Sequence, residues 1–370
     1  MEQKQRLLSL DFFRGFTIAA MILVNNPGSW GSVYAPLLHA KWHGWTPTDL
    51  IFPFFLFIVG VSISLAMSGK KERNEPKKDL YKKIIRRTLL LFGLGLFLSG
   101  FPFFDFSIIR IPGVLQRIAV CYFVATVIFL HGSIKTQITW TGIFLFVYWA
   151  IMEWIPVPEI GAGLYDKGAN FAAYVDSLFL KGHMWSATKT WDPEGIVSTL
   201  PAISTTLFGV LTGHLLRSKK ESIEKTAIML VAGNIAIAIG LIWSQWLPIN
   251  KSLWTSSYAV FMSGMAMVVL GISYFLIDVK GWTKGIKPFR VYGMNAITVF
   301  VLSGVVAKTL YLIKWQSTDG VISLKGWIMN IFFLPWLSPI NASLAFALCF
   351  IFVSYMAMYF LYRKNIFIKV

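Results

Sequence analysis

Cysteine, charge and acid are what this chain has least of. Two cysteines occur, Cys121 and Cys349, both inside apolar runs; that excludes a disulfide framework, and no Cys/His spacing suits a zinc site. Charged residues make up only 14% of 370, where soluble domains run to about a quarter, which excludes an ordinary water-soluble protein. Low hydrophobicity is missing as well, so disorder is excluded. No small-residue cleavage site closes the first apolar stretch, which opens Asp11-Phe12-Phe13-Arg14-Gly15. It is expected to stay as a first helix and not to leave as a signal peptide.

What remains is apolar and aromatic. The hydrophobic set reaches 56%, with 15 Trp, 13 Tyr and 31 Phe, more than one globular core uses and suited to lipid-facing and interfacial positions. A span takes about 20 apolar residues, and the pattern predicts spans at 10–26, 48–67, 85–103, 114–131, 138–156, 196–216, 226–247, 255–277, 291–313 and 341–361. A further apolar patch, 326–337, is short and holds Pro335 and two Trp, which suits an interfacial or re-entrant piece. The expected fold is an all-α polytopic integral membrane protein: a bundle of about ten transmembrane helices, eleven if 326–337 spans. It forms a single transmembrane domain over 1–370, with one long external loop at 157–195.

Charge sets the orientation. Lys and Arg number 34 against 17 Asp and Glu, a net +17, and cytoplasmic loops retain Lys and Arg. Ten spans with both termini in the cytoplasm put 23 basic residues inside, from Lys4 and Arg6 through the run Lys70–Arg87 to Arg363, Lys364 and Lys369. Eight fall outside, and Arg14, Arg117 and Lys308 lie within spans. The positive charge is then topology, and no nucleic-acid partner is expected.

Ionisable groups inside spans are costly and mark function by default. Arg14 is also placed to snorkel or to pair with Asp11. Arg117, beside Gln116 and after Arg110, is harder to explain by snorkelling and suits a buried anion- or ligand-holding role. The densest polar cluster is the first outer loop, with Asn25, Asn26, His39, Trp42, His43 and Asp49. Thr46 or Thr48 opens the next helix there, with Pro47 and Asp49 in its first turn. His39 and His43, four apart, permit a metal pair, but no third ligand stands at a matching spacing and no metal is expected. An imidazole acting as base or nucleophile is the more economical reading. The long loop closes on Thr190-Trp191-Asp192-Pro193-Glu194-Gly195, which reads as a helix start.

Several blocks resemble the heparan-α-glucosaminide N-acetyltransferase family. They are Arg6-Leu7-Leu8-Ser9-Leu10-Asp11-Phe12-Phe13-Arg14-Gly15, His39-Ala40-Lys41-Trp42-His43-Gly44-Trp45-Thr46, Asp49-Leu50-Ile51-Phe52-Pro53-Phe54, Arg110-Ile111-Pro112-Gly113-Val114-Leu115-Gln116-Arg117, Asp192-Pro193-Glu194-Gly195, Gly293-Met294-Asn295-Ala296 and Tyr362-Arg363-Lys364-Asn365-Ile366-Phe367. They run in order along nearly the whole chain. The resemblance implies acetyl transfer from cytoplasmic acetyl-CoA to the amine of a glucosamine-type sugar or oligosaccharide on the external side. It places the family's active histidine on His39, as general base or as acetyl-accepting nucleophile, and it implies a homodimer. Under that reading Asn25 serves His39 or the thioester carbonyl, and Asp49 orients the imidazole or attracts the amine. Exposed Trp42 and Trp191 are candidates to face the sugar ring, Arg110 and Arg117 to bind its hydroxyls or an acidic group, and Asp192 and Glu194 to meet the ammonium. Arg14, Arg86, Arg87, Lys287, Arg290 and Asn295 are candidates for CoA. A bacterial inner (cytoplasmic) membrane is the expected location. The rival reading is an amino-sugar transporter without CoA chemistry.

Overall fold

The computed structural model describes residues 7–317 and 320–368. Lys4, Arg6 and Lys369, used above to set the orientation, lie outside the described residues. The chain is a multi-pass membrane protein, and almost all of its regular structure is helix. Among the described residues, seven helices are long and apolar enough to cross a membrane, or eight if one bent pair counts as a single span. The chain divides into two compact units.

The first unit comprises Met1–His39, Thr46–Ile51 and Gly281–Val370. Helix α1 (Leu8–Asn25) carries Asp11 in its first turn, favourable at the positive end of the helix dipole, and Arg14 reaches back to Asp11 at 3.5 Å. It lies against α10 (Lys287–Met294) so closely that a Cβ on Gly15 would come within 1.6 Å of the Phe289 carbonyl oxygen. Such an approach admits only a residue without a side chain. The span expected as one piece at 291–313 is broken. Helix α11 (Ala296–Leu312) leaves α10 at 84°, with Asn295 between them in a non-helical conformation. The cause is a contact with the chain's tail: the buried Asn295 amide donates to the Ile366 carbonyl (3.1 Å) and accepts from the Ile368 N–H (2.9 Å). The polar side chain is satisfied by the chain's own tail, as a buried amide requires.

A small antiparallel hairpin follows, β1 (Lys314–Ser317) and β2 (Gly320–Ser323), which the apolar pattern did not announce. The patch at 326–337 is no continuous span. It contains the end of a five-residue helix, α12 (Leu324–Ile328), and one π-helical turn, Met329–Phe333, too short at about 1.5 Å per residue to cross hydrocarbon. Helix α13 (Pro339–Arg363) completes the unit.

The second unit comprises Ala40–Trp45 and Phe52–Lys280. It holds α2 (Ile51–Glu72, from Phe52 on), α3 (Lys77–Gly100), α4 (Val114–His131) and α5 (Ile134–Trp154). After these come α6 (Phe171–Phe179), α7 (Thr199–Arg217), α8 (Ser222–Trp243) and α9 (Ser256–Tyr274). Helices α3 and α5 are long, at 24 and 21 residues, but are not among the seven. Their polar residues are the reason: Lys82, Lys83, Arg86 and Arg87 in α3, and Lys135, Gln137 and several Thr and Trp in α5. Several buried hydroxyls in this unit turn to backbone oxygens, the partners that lipid cannot supply. Ser204 donates to Thr141 (3.0 Å), Ser256 to Leu145 (2.7 Å) and Tyr148 to Leu253 (2.8 Å). The long loop has a helix of its own, α6. The helix expected to start at Asp192–Gly195 starts instead at Thr199, because those acids are held in a turn.

Candidate active site

Each unit carries one cluster of the residues singled out in the sequence. In the first unit, the chain enters α2 through a 3-10 turn, Pro47–Leu50. Thr46 and Asp49 form a capping box, in which the Asp49 Oδ2 accepts from the Thr46 N–H (2.9 Å). That satisfies donors a helix start would otherwise orphan. The other oxygen of the same carboxylate, Oδ1, lies 2.6 Å from His39 Nδ1. The Asp49 side chain is fully buried, whereas 47% of the His39 side chain is exposed. An ionised carboxylate can only accept, so Nδ1 is the donor and the lone pair of the neutral ring sits on Nε2. The geometry is that of a half-exposed imidazole held at Nδ1 by a buried carboxylate. Such a ring can take up a proton or attack a carbonyl.

Asn25 stands exposed at the end of α1 and has no side-chain hydrogen bond among the described residues; the structure does not join it to His39. Of the expected CoA cations in this unit, Arg14 faces Asp11, and Lys287 lies over the Tyr359 ring at 5.5 Å. The Nε of Arg290 is buried and has no hydrogen-bond partner among the described residues. Asn295 is already bonded at both ends of its amide, as described above.

The second cluster gathers around Arg110. Its Nε and Nη2 donate to the two oxygens of Asp192 (2.8 and 2.6 Å), and Nη2 also meets Glu194. Burial works against the Arg110 charge, but the hydrogen bond to Asp192 and the charges of Glu194 and Asp192 outweigh it and raise the guanidinium pKa. Asp192 also accepts from the backbone N–H groups of Trp185 (2.8 Å) and Glu194 (2.9 Å). The two carboxylates expected to meet an ammonium are thus engaged with an arginine of their own chain.

Arg117 is fully buried one turn into α4. It donates through Nη2 to the Gly195 carbonyl (3.0 Å) and to Ser198, and its guanidinium lies 5.2 Å from the Trp254 ring centroid. Its Nε and Nη1 have no partner among the described residues. Trp42 and Trp191, expected to be exposed, are half-buried and pack edge to face at 5.1 Å. Trp42 Nε1 donates to the Tyr165 carbonyl (2.8 Å), and the Lys167 ammonium lies over its ring. His43 sits near Asn250; burial lowers its pKa, and Asp166 opposes this. His183 is half-buried with Nδ1 at 2.9 Å from the Ile109 carbonyl, beside Arg110 in the chain. On α3, Arg86 is exposed, while Arg87 stacks on Tyr122 at 4.6 Å with its Nε buried and unpartnered among the described residues.

Sequence reasoning missed Asp176. It is buried on α6 and accepts from the Asp192 N–H (3.1 Å) and the Ile196 N–H (2.9 Å), tying down both ends of the turn that holds Arg110 and Arg117. Burial pushes its pKa up to about 6 against those two backbone bonds. Gly195 is glycine because a Cβ there would stand 2.0 Å from Asp176 Oδ2. A signal was present: Ala172, Ala173 and Asp176 share the buried face of α6, and an acid on an apolar face requires partners. No group of three or more His, Cys, Asp or Glu among the described residues is arranged to hold a metal ion.

A family model described as heparan-alpha-glucosaminide N-acetyltransferase, catalytic, matches residues 6–243, more than half of the chain. The chain belongs to that family. Human heparan-alpha-glucosaminide N-acetyltransferase is 30% identical over 419 aligned residues, covering 99% of this chain and 60% of the human protein. The mouse protein of the same name is 30% identical over 380, covering 88% of this chain and 57% of its own length. The chain therefore spans about 60% of the length of these curated relatives. Both clusters described above begin within the family match, and the Gly293–Ala296 block lies beyond its end.

Proposed function

We propose that this protein is a transmembrane N-acetyltransferase that passes the acetyl group of cytoplasmic acetyl-CoA to the amine of a glucosamine-type sugar on the external side. The observation that carries the reading is the His39 Nδ1–Asp49 Oδ1 contact of 2.6 Å beneath a half-exposed imidazole, in a chain of this family. Asp49 holds the proton on Nδ1. His39 Nε2 then acts in one of two ways. As general base it takes the amine proton as the new N–C bond forms and the C–S bond breaks, and the thiolate leaves with CoA. As nucleophile it bonds to the acetyl carbon while the C–S bond breaks and CoA leaves as the thiolate; the amine then takes the acetyl group, and its proton passes to the freed imidazole. The second route predicts ping-pong kinetics and an acetylated His39. Trp42 and Trp191 offer aromatic surface to a sugar ring, and Asn25 a polar group at the end of α1. Within the second unit, Arg110, Arg117, Asp192 and Glu194 are the further residues proposed for the acceptor.

Each unit holds cations suited to a phosphate-bearing co-substrate. Arg87 and Arg290 each keep a buried Nε with no partner among the described residues, a donor available to an anion. Arg14, Arg86 and Lys287 add positive charge, and Asn295 holds the bend from which α11 departs. Acetyl-CoA, when bound, supplies the activated acyl group. The reading carries with it ten crossings, counting α3, α5 and the bent α10–α11 pair, both termini cytoplasmic, a bacterial inner membrane and a homodimer. The relatives are named as acetyltransferases, which does not favour the transporter alternative.

The test is purified protein with acetyl-CoA and glucosamine, comparing parent with His39→Ala. Loss of turnover by at least about 100-fold is expected, the usual scale for a positioned acid–base group. Turnover near the parent rate would remove His39 from the chemistry.

A further inference from the structure

Residues 26–38 join α1 to His39, and their only regular piece is one 3-10 turn, Ala35–Leu37. A segment with so little internal ladder must take its holding bonds from elsewhere. At its far end they come from the turn that carries Asp49: Thr48 donates to the Pro36 carbonyl (3.0 Å) and Thr46 to the Leu38 carbonyl (2.6 Å). At its near end they come from α13, 314 residues further along the chain. The Gly28 N–H donates to the Ser343 carbonyl (3.1 Å). The Ser343 hydroxyl accepts from the Ser29 N–H (3.0 Å) and donates to the Ser29 carbonyl (3.1 Å). The Tyr34 hydroxyl donates to Asn341 Oδ1 (2.6 Å). Ser343 is buried, so with the loop in place its hydroxyl depends on Ser29 and not on water for its partners.

We propose that Ser343 and Asn341 are positioning residues for His39. Through Ser29 and Tyr34 they clasp the first half of the loop to the start of α13, and Thr46 and Thr48 clasp the second half to the Asp49 turn. The imidazole then has one place to stand relative to its carboxylate. All of these residues lie in the first unit. Misplacing a reacting group by about 1 Å can cost 10²-fold in rate, so a distant clasp of this kind is felt in turnover. The assignment rests on His39 carrying the chemistry.

The experiment compares Ser343→Ala/Asn341→Ala, Ser343→Thr, Tyr34→Phe and His39→Ala in the full chain, each checked for folding by its melting midpoint. The double variant is expected to lose about 10-fold or more in kcat with the acetyl-CoA KM unchanged. Ser343→Thr, which keeps the hydroxyl, should stay near the parent, and Tyr34→Phe should lose about 2- to 5-fold, being one hydroxyl at an exposed site. Amide hydrogen exchange supplies a readout that needs no activity: the peptide over residues 35–40, away from the deleted bonds, should exchange several-fold faster in the double variant. Exchange that quickens only around residues 28 and 29, or an unchanged kcat where His39→Ala is inactive, overturns the clasp. An active His39→Ala overturns the functional reading instead, and the exchange result then still decides whether α13 holds the loop. If the double variant fails to fold, Tyr34→Phe carries the same two measurements.

Discussion

The two clusters solve opposite problems with the same chemistry. In the first unit a fully buried carboxylate holds a half-exposed imidazole. In the second unit the order is reversed. A half-buried guanidinium is closed off by Asp192 and Glu194, and a further buried carboxylate, Asp176, fixes the backbone that carries them. The first arrangement spends its carboxylate on orientation; the second spends three carboxylates on rigidity. An ionisable group with an outward edge is suited to change its protonation during a reaction, whereas one whose hydrogen bonds are saturated is suited to keep it. The contrast separates the candidate reacting group from the frame, although sequence alone makes His39 and Arg110 equally polar intruders in an apolar chain.

The largest effects should divide along that line. His39→Ala should abolish turnover while leaving the melting midpoint near the parent value. Arg110→Ala should do the reverse first. It strands Asp192 and Glu194, and breaking a buried pair costs about 3–5 kcal/mol, somewhat less here because the arginine side chain is 26% exposed. A drop of several degrees in the melting midpoint is the expected readout. Equal effects of the two variants on both measurements would erase the distinction. Gly195→Ala sharpens it, since the added methyl falls 2.0 Å from Asp176 Oδ2 and must push the whole turn aside. It should destabilise by at least as much as a typical overpacked core site, about 1–3 kcal/mol, with no loss of a charged group.

How much of this was legible depends on the range of the cause. Helix α4 is bounded as the hydropathy places it, 114–131, because lipid imposes a length and Gly113 and Gly132 flank it. The start of α2 was legible because Thr46, Pro47 and Asp49 are local signals whose partners lie three residues away. The His39–Asp49 contact spans only ten residues, and the family resemblance already sets Asp49 to orient the imidazole. What escaped was non-local. The break at Asn295 depends on a tail more than 70 residues later. The turn at Asp192 looks like a helix start until Arg110, 82 residues earlier, claims its carboxylate. Trp42 and Trp191 read as exposed because nothing in the sequence says that they pack on each other.

The smallest expected effect concerns Asp176 and runs with pH. Its folded pKa lies at about 6, above the ordinary carboxylate value of 3.8, with burial as the main cause. The folded state therefore holds this proton more tightly than the unfolded state does. The sign follows: the stability Asp176 contributes is fully present below pH 3.8 and is lost as the pH rises through 6. Asp176→Asn removes the titration. Its amide oxygen still accepts one of the two backbone N–H groups at Asp192 and Ile196 but leaves the other poorly served. The variant should melt below the parent at pH 4, and the gap should narrow by pH 7, where the parent has to keep a charge buried. Melting midpoints across that range check it. A gap that widens toward pH 7 would mean that the ionised carboxylate, and not the protonated one, is what the turn around Arg110 is built on.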